Sequence, residues 1–223
     1  MLPTRRVLQL LVAALALLSA GQAQAAASAR ASDSGATLSY RKIFKSSSPE
    51  FTEIRIREGG PCTYDLRTLD DPPDPQPFDV GPALRQKMFA LAAQLQNFRG
   101  LDLDMKRRIA NLGAKTFRYE RGSEVHEVQF NYTINATANQ LLQIFEGLAR
   151  QQELLSTLTR RMKYDRLGVN DALMQLDSEF RRQLLPEPEA LLPALEQIAN
   201  DSRFVEIARQ RARALVESIR HPK

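Results

Sequence analysis

The chain has 223 residues, with 31 lysines and arginines against 26 acids and a formal net charge of +5. This length allows one large hydrophobic core, or a domain with a helical extension. A single cysteine excludes an internal disulfide, and one cysteine with two histidines disfavours a zinc site. The mixed charge gives no reason to expect a nucleic-acid partner.

The first 25 residues have the pattern of a secretory signal peptide. Arg5 and Arg6 precede an apolar run over residues 7–20, and an Ala-X-Ala cleavage pattern ends at Ala25. The run is too short to cross a bilayer, so no transmembrane anchor is expected after cleavage. Cleavage removes two arginines and no acid, which lowers the formal charge to +3. We therefore expect a periplasmic or secreted bacterial protein, exported by the general or the twin-arginine route.

The next segments predict a flexible terminus followed by a strand. Residues 26–36 are small and polar, as is typical of a mobile chain end. Residues 37–44 alternate Leu38, Tyr40 and Phe44 onto one side, which favours a strand.

Residues 51–67 predict a β-hairpin, with Gly59, Gly60 and Pro61 as its loop. This loop brings opposite charges together once the apolar residues are aligned, and cross-strand pairs of this kind stabilise a sheet. The pairs predicted to face each other are Ile54 with Leu66, Ile56 with Tyr64, Glu58 with Cys62, Arg55 with Asp65, and Glu53 with Arg67.

Residues 70–77 contain four prolines and three aspartates, which exclude a helix or an inner strand. We expect an extended surface connector, with a proline-rich ligand segment as the alternative. A helix is predicted to begin at Pro82 and to end before Gly100. Its apolar stripe consists of Leu84, Met88, Leu91, Leu95 and Phe98.

Residues 115–134 predict a second hairpin, with Gly122 and Ser123 as a two-residue turn. One register then aligns two charge pairs and one apolar pair. The charge pairs are Arg121 with Glu124 and Arg118 with Glu127, and the apolar pair is Phe117 with Val128. In the same register Tyr119 faces His126. The apolar face is expected to continue through Tyr132 and Ile134.

A long amphipathic helix is predicted from Thr137, with Thr137 and Gln140 as a capping box. We expect it to pack on the apolar face of the second hairpin. Gly147 lowers its helix propensity and Gln152 interrupts its apolar stripe. The stripe consists of Leu141, Phe145, Leu148, Leu155, Leu158 and Met162.

Residues 163–223 predict a helical extension of three helices. The first carries Val169, Leu173, Leu176, Phe180 and Leu184, and residues 189–199 and 203–220 form an antiparallel pair. In the pair, Leu192, Leu195 and Ile198 are expected to face Phe204, Ile207, Ala208, Leu215 and Ile219. The extension is expected to pack on the long helix through Leu142, Ile144 and Leu154. Its basic outer face, with Arg209, Arg213 and Arg220, is a candidate partner-binding surface, and a solvated face is the alternative.

No catalytic, cofactor-binding or metal-binding motif stands out. Cys62 is expected to be a buried structural thiol, and His126 a hydrogen-bonded residue at the core edge. The alternative is a nucleophile pair of Cys62 with His126, which requires adjacent hairpins. Asp104 is expected to cap a short helix holding Met105, Ile109 and Leu112, while pairing with Asp102 is the alternative.

Two segments carry a resemblance. NYTINATANQLLQIFEGLAR (residues 131–150) and DSRFVEIARQRAR (residues 201–213) resemble segments of uncharacterised secreted bacterial proteins. The resemblance implies an envelope or secreted location and supplies no catalytic residue.

The sequence thus predicts an α+β fold with an antiparallel sheet built from two hairpins and an N-terminal strand. The domain is expected over residues 37–162 and the all-helical extension over 163–223. We expect a non-enzymatic binding or structural role, with another envelope or secreted protein as partner. An exported enzyme, or an inhibitor or chaperone of another exported protein, is the alternative; a deep pocket lined by His126 and carboxylates would favour the enzyme.

Overall fold

A computed structural model of the protein describes residues 35–45, 47–105 and 110–222. The predicted signal peptide, residues 1–25, and residues 26–34 lie outside the described residues. Ala36 is described and fully buried, and its backbone N–H donates to Glu58 Oε2 at 3.0 Å. The predicted flexible terminus is therefore wrong at Ala36.

Six antiparallel strands form one sheet in the order β4-β3-β2-β1-β5-β6. The first strand lies in the middle and joins the hairpins β2–β3 and β5–β6. The last two residues of the predicted extended segment, residues 70–77, belong to β4. This strand lies at the edge of the sheet, where a proline is tolerated. The strands are β1 Thr37–Ile43, β2 Phe51–Arg57, β3 Cys62–Arg67, β4 Gln76–Phe78, β5 Ala114–Arg121 and β6 Glu124–Phe130.

The register predicted for the second hairpin is confirmed. All four predicted pairs, from Arg121 with Glu124 to Phe117 with Val128, face each other across β5 and β6. The strand ends at Phe130, earlier than expected, so Tyr132 and Ile134 are not part of its buried face and are exposed.

The first hairpin is confirmed, but its predicted register is wrong by two residues. Ile54 faces Tyr64 and Glu53 faces Asp65. A shift of two keeps every side chain on its predicted face, so the apolar pattern does not distinguish the two registers. The ion pairs form along the strands instead of across them, from Arg55 to Glu53 at 2.9 Å and from Arg67 to Asp65 at 3.0 Å.

Helices cover one face of the sheet. Helix α1 (Pro82–Gln94) begins at its proline as predicted but ends before Phe98. A short left-handed turn, Gln96–Phe98, follows it and stacks the Phe98 ring on Phe117 at a centroid distance of 5.4 Å. The sheet-side core includes Leu38, Tyr40, Ile54, Ile56, Met88, Leu91, Phe117, Phe130, Leu141, Phe145 and Leu148.

Helix α2 (Ala136–Tyr164) packs on this core, but it lies closest to β2 and β3 of the first hairpin, so the predicted packing on the second hairpin is only partly right. Phe145 reaches Phe117 on β5 at a centroid distance of 5.9 Å. The cap of the helix also differs from the prediction. Asn135 is the N-cap, and its side chain accepts a hydrogen bond from the Ala138 N–H at 3.0 Å, so the predicted capping box at Thr137 is wrong. The helix has 29 residues and serves two hydrophobic cores. Phe145 and Leu148 belong to the first, and Leu154 and Leu158 to the second.

The second core, called the tail core here, lies between α2 and helices α3 (Val169–Arg181), α4 (Leu192–Asn200) and α5 (Glu206–Arg220). Of the residues expected to join the extension to α2, Leu154 does so, whereas Leu142 and Ile144 pack against the sheet-side core. Leu184 and Ile207 are exposed, contrary to prediction. The tail core includes Val169, Leu173, Leu176, Leu191, Leu195, Ile198, Phe204, Ala208, Leu215 and Ile219.

The short helix predicted from Asp104 is not found among its described residues. Asp104 and Met105 are irregular, and residues 106–109 lie outside the described residues. Asp104 Oδ1 accepts from the Asn131 N–H at 2.8 Å, and the Met105 N–H donates to Tyr132 O at 2.9 Å. These bonds to the chain after β6 replace the capping role predicted for Asp104.

The structure confirms the α+β class, with an antiparallel sheet, packed helices and a helical C-terminal region. Within the described ranges, no helix combines the length and the apolar character needed to cross a bilayer.

Candidate functional site

The face of the sheet opposite the helices carries the candidate site, and we call it the outer face. Successive side chains along a strand point to opposite faces of the sheet, so β1 directs Leu38 and Tyr40 into the core and Ser39 and Arg41 outward. Ser39 is the cross-strand partner of Arg55 on β2 and of Arg118 on β5. The centre of the outer face is therefore a hydroxyl flanked by two arginines.

The next row along the strands places Arg41 between Glu53 and Thr116. Together these two rows and Glu120 surround a concavity of about 280 Å³. We call this concavity the arginine cup, and it is lined by Ser39, Arg41, Glu53, Arg55, Thr116, Arg118 and Glu120.

Two of the three cup arginines are held by neighbouring acids. Arg118 donates from Nε to Glu120 at 2.9 Å and from Nη1 to Glu127 at 3.2 Å, and the hydrogen bond to Glu120 raises the pKa of its guanidinium. Arg55 donates from Nε to Glu53. These contacts hold the two side chains over the outer face at fixed positions.

Arg41 differs from its neighbours. Among the described residues it forms no hydrogen bond or ion pair, although its strand partners are Glu53 and Thr116. The Ser39 and Thr116 hydroxyls likewise have no hydrogen-bond partner in the described parts of the chain, and their oxygens stay open to solvent although the residues are only 6% and 7% exposed. A guanidinium without an ion pair thus lies beside two hydroxyls that are free to bind water or a ligand.

The structure separates Cys62 from His126. Cys62 lies on β3 and His126 on β6, with three strands between them. Neighbouring strands are about 4.8 Å apart, so the nucleophile pair considered from the sequence is excluded. Cys62 is fully buried as predicted, and burial raises the pKa of its thiol.

His126 is at the core edge, as predicted. Its Nε2 lies 3.1 Å from both Arg99 Nε and Glu124 Oε1. Five surface cavities formed by described residues have volumes of about 280 to 590 Å³, and His126 lines none of these five. No group of three or more potential metal ligands occurs within residues 35–45, 47–105 and 110–222.

The tail arginines do not meet in one site. Arg209 and Arg213 both pair with Glu206, and Arg213 also donates to Ala199 O at 3.1 Å. Arg220 pairs with Glu196 on α4. Each of the three is engaged within the extension, and their role in partner binding stays a prediction.

A buried polar cluster on the core side was not predicted. Lys115 is 5% exposed and donates to the backbone oxygens of Leu112 at 3.2 Å and Asn131 at 2.9 Å. Burial lowers the pKa of this lysine. The neighbouring Tyr40 hydroxyl donates to Glu146 at 3.1 Å. Because two of the three ammonium donors are engaged by backbone carbonyls, we interpret this cluster as closing the end of the sheet.

Sequence reasoning also missed the arginine cup. The alternation on β1 placed Ser39 and Arg41 outward, but the flanking arginines come from two different hairpins. The missing information was the position of β1 between β2 and β5.

Comparison with known protein families finds no match, and no curated protein is significantly similar to the chain. The resemblance to uncharacterised secreted proteins therefore stays a prediction.

Proposed function

We propose that this chain is an exported, non-enzymatic binding protein that engages another exported protein through the outer face of its sheet. The observation that carries the proposal is the arrangement of the layers. Within the part of the chain that the structure describes, the helices pack on one side of the sheet, while the other side presents charged and hydroxyl side chains from five neighbouring strands. Patterned charges on a regular surface favour specific association with a complementary surface.

The signal-peptide pattern supports the exported location, because residues 7–20 form an apolar run that ends in a cleavage motif. The intact mass of the protein recovered from the periplasm or medium tests it. We expect the mass of a chain that begins at Ala26. A mass that retains residues 7–20 would contradict the proposed location.

The alternative of an exported enzyme receives less support from the geometry. A catalytic role for His126 would require a cavity in which substrate reaches the ring. The ring instead lies between Arg99 and Glu124 at the strand surface, outside the five cavities.

Site-specific photo-crosslinking in the producing cells tests the binding face. A photoreactive phenylalanine derivative replaces Gln129, an exposed outer-face residue on β6, or Ser218, an exposed residue on α5. We expect Gln129 to give a discrete adduct with another exported protein, and Ser218 to give none. An adduct from Ser218 alone would move the interface to the tail arginines, and no adduct from either position would contradict a protein partner.

A further inference from the structure

We propose that the arginine cup binds one oxyanion group, a carboxylate or a phosphate, with Arg41 as its principal ligand. This inference rests on the proposed function, because the cup lies at the centre of the proposed binding face. It adds the chemistry that the face recognises.

Charge is the first argument. The cup is lined by three arginines and two glutamates, so its lining carries one excess positive charge. Arg55 and Arg118 are already paired with Glu53 and Glu120, and Arg118 also pairs with Glu127, which lies outside the lining. Arg41 is therefore the cup arginine whose charge is not paired within the described residues. A guanidinium offers a fork of N–H donors that matches a carboxylate or a phosphate.

The hydroxyls are the second argument. Thr116 is the cross-strand partner of Arg41, and Ser39 lies in the adjacent row. Both residues are more than nine-tenths buried, but their hydroxyl oxygens form no hydrogen bond in the described chain and stay open to solvent. Polar groups without a protein partner are satisfied by water or by a ligand. A hydroxyl donates to an anion as readily as to water, so these two groups complete the donor set that Arg41 begins.

The size of the cup is the third argument. Its volume of about 280 Å³ lies just below the range of about 300–1,000 Å³ that is typical of pockets for small organic ligands. Ser39 lies between Arg55 and Arg118, whose backbones are two strand spacings, or about 10 Å, apart. The cup is therefore suited to a single small group, such as an acidic side chain of a partner or a free ion.

Titration of the purified protein with sodium acetate and with inorganic phosphate, followed by amide and guanidinium NMR shifts, tests the inference. Ionic strength is held constant with sodium chloride, because surface charges are screened by salt. We expect saturable shifts at Ser39, Arg41 and Thr116. Tighter binding of acetate at equal ionic strength would identify a carboxylate site, and tighter binding of phosphate a phosphate site.

Arg41→Gln is the decisive variant, since it removes the charge of a side chain that forms no hydrogen bond or ion pair within the described structure. We expect it to weaken anion binding by roughly ten- to hundredfold, the effect of losing one charge-assisted hydrogen bond. Arg181→Gln is the matched control, because Arg181 is an exposed arginine on α3 with one ion pair. It should leave the affinity unchanged.

Shifts that rise linearly without saturation, or that weaken equally in both variants, would overturn the inference. The unfolding midpoint of each variant shows that the fold is retained, and Arg55→Gln gives a second loss of affinity if the cup is the site.

The crosslinking result separates this inference from the proposed function. An adduct from Gln129 without anion binding would refute the cup alone, and saturable anion binding without any adduct would refute the protein partner alone.

Discussion

Gln151 and Glu187 form a two-way hydrogen bond between α2 and the chain that follows α3. The Gln151 Nε2 donates to the Glu187 carbonyl at 2.8 Å, and the Glu187 N–H donates to Gln151 Oε1 at 3.1 Å. The Glu187 carboxylate in turn accepts from the backbone N–H of Gly81, at the start of α1. One glutamate thus connects the extension to both helices that cover the sheet.

Replacing Gln151 by Leu should weaken this junction. The glutamine is fully buried, and a leucine of similar size would leave the Glu187 N–H without a partner, while the Glu187 carbonyl would keep only its hydrogen bond from the Ala190 N–H at 3.1 Å. An unsatisfied buried group costs about 1–3 kcal/mol, so we expect a loss of about 1–3 kcal/mol in the free energy of unfolding. Denaturant unfolding measures it. Gln140→Leu, on an exposed position of the same helix, should change stability by less than about 0.5 kcal/mol.

Gly147 allows the same segment to approach α2. A Cβ at this position would lie 2.8 Å from Pro186 Cγ and 2.9 Å from the Leu184 carbonyl oxygen. Alanine would gain about 1 kcal/mol in helix propensity, but the overpacking costs about 1–3 kcal/mol. We expect Gly147→Ala to lose about 1 kcal/mol by calorimetry. Adding Pro186→Ala should recover part of the loss, and a more stable single variant would contradict the close approach.

The sequence identified Gly147 and Gln152 as interruptions of a helical stripe, but it did not give the reason. For Gly147 the reason is the close approach of Leu184 and Pro186, which come much later in the chain, and no local pattern encodes such a contact. The same holds for Gln151, whose partner Glu187 lies 36 residues further along the chain. The register of the second hairpin could be predicted, since its charge pairs and its apolar pair agree on one alignment, although its second strand ends earlier than predicted. These cues were local and redundant.

The first hairpin lacked that redundancy. Two registers related by a shift of two residues place the same side chains on the same faces. The observed register is accompanied by a tertiary contact, in which Arg85 on α1 donates to the backbone oxygens of Arg57 at 2.7 Å and Gly60 at 2.9 Å. The arginine cup could not be predicted for a related reason, because it depends on which strands adjoin β1.

Substitution of Gly60 tests the observed turn between β2 and β3. The Gly60 φ of +84° lies in the left-handed region, whereas neighbouring Gly59 has no positive φ, and a Cβ at either glycine meets no atom within 4 Å. We expect Gly60→Ala to cost about 1–2 kcal/mol of stability through backbone strain alone. Gly59→Ala is the matched control and should cost less than about 0.5 kcal/mol. Equal losses in thermal unfolding would contradict this turn geometry.

Phe117 should be a large contributor to the sheet-side core. Its ring lies within 6 Å, centroid to centroid, of the rings of Tyr40, Phe98, Phe130 and Phe145. Truncation to alanine removes these contacts and leaves a cavity, so we expect a loss of about 3–5 kcal/mol in urea unfolding. Tyr132→Ala, at an exposed aromatic after β6, should cost less than about 1 kcal/mol. A loss below that level at Phe117 would contradict the described core.

Glu187 should make stability depend on pH. Burial raises the pKa of its carboxyl above the ordinary value of 4.5, more than the hydrogen bond from Gly81 lowers it. The folded state therefore holds the proton more tightly than the unfolded state, and this contribution to stability is lost as pH rises through the folded pKa. Glu187→Gln keeps an acceptor for Gly81 and removes the titration.

We therefore expect the stability of Glu187→Gln relative to the natural protein to increase between pH 4 and pH 7. Urea unfolding at several pH values measures the difference, and Glu189→Gln serves as the control because Glu189 is an exposed neighbouring acid that disfavours the Glu187 charge. Its effect should be smaller and have the same sign. A difference that stays constant, or that reverses in favour of the natural protein as pH rises, would show that the Gly81 hydrogen bond outweighs the burial of the carboxylate.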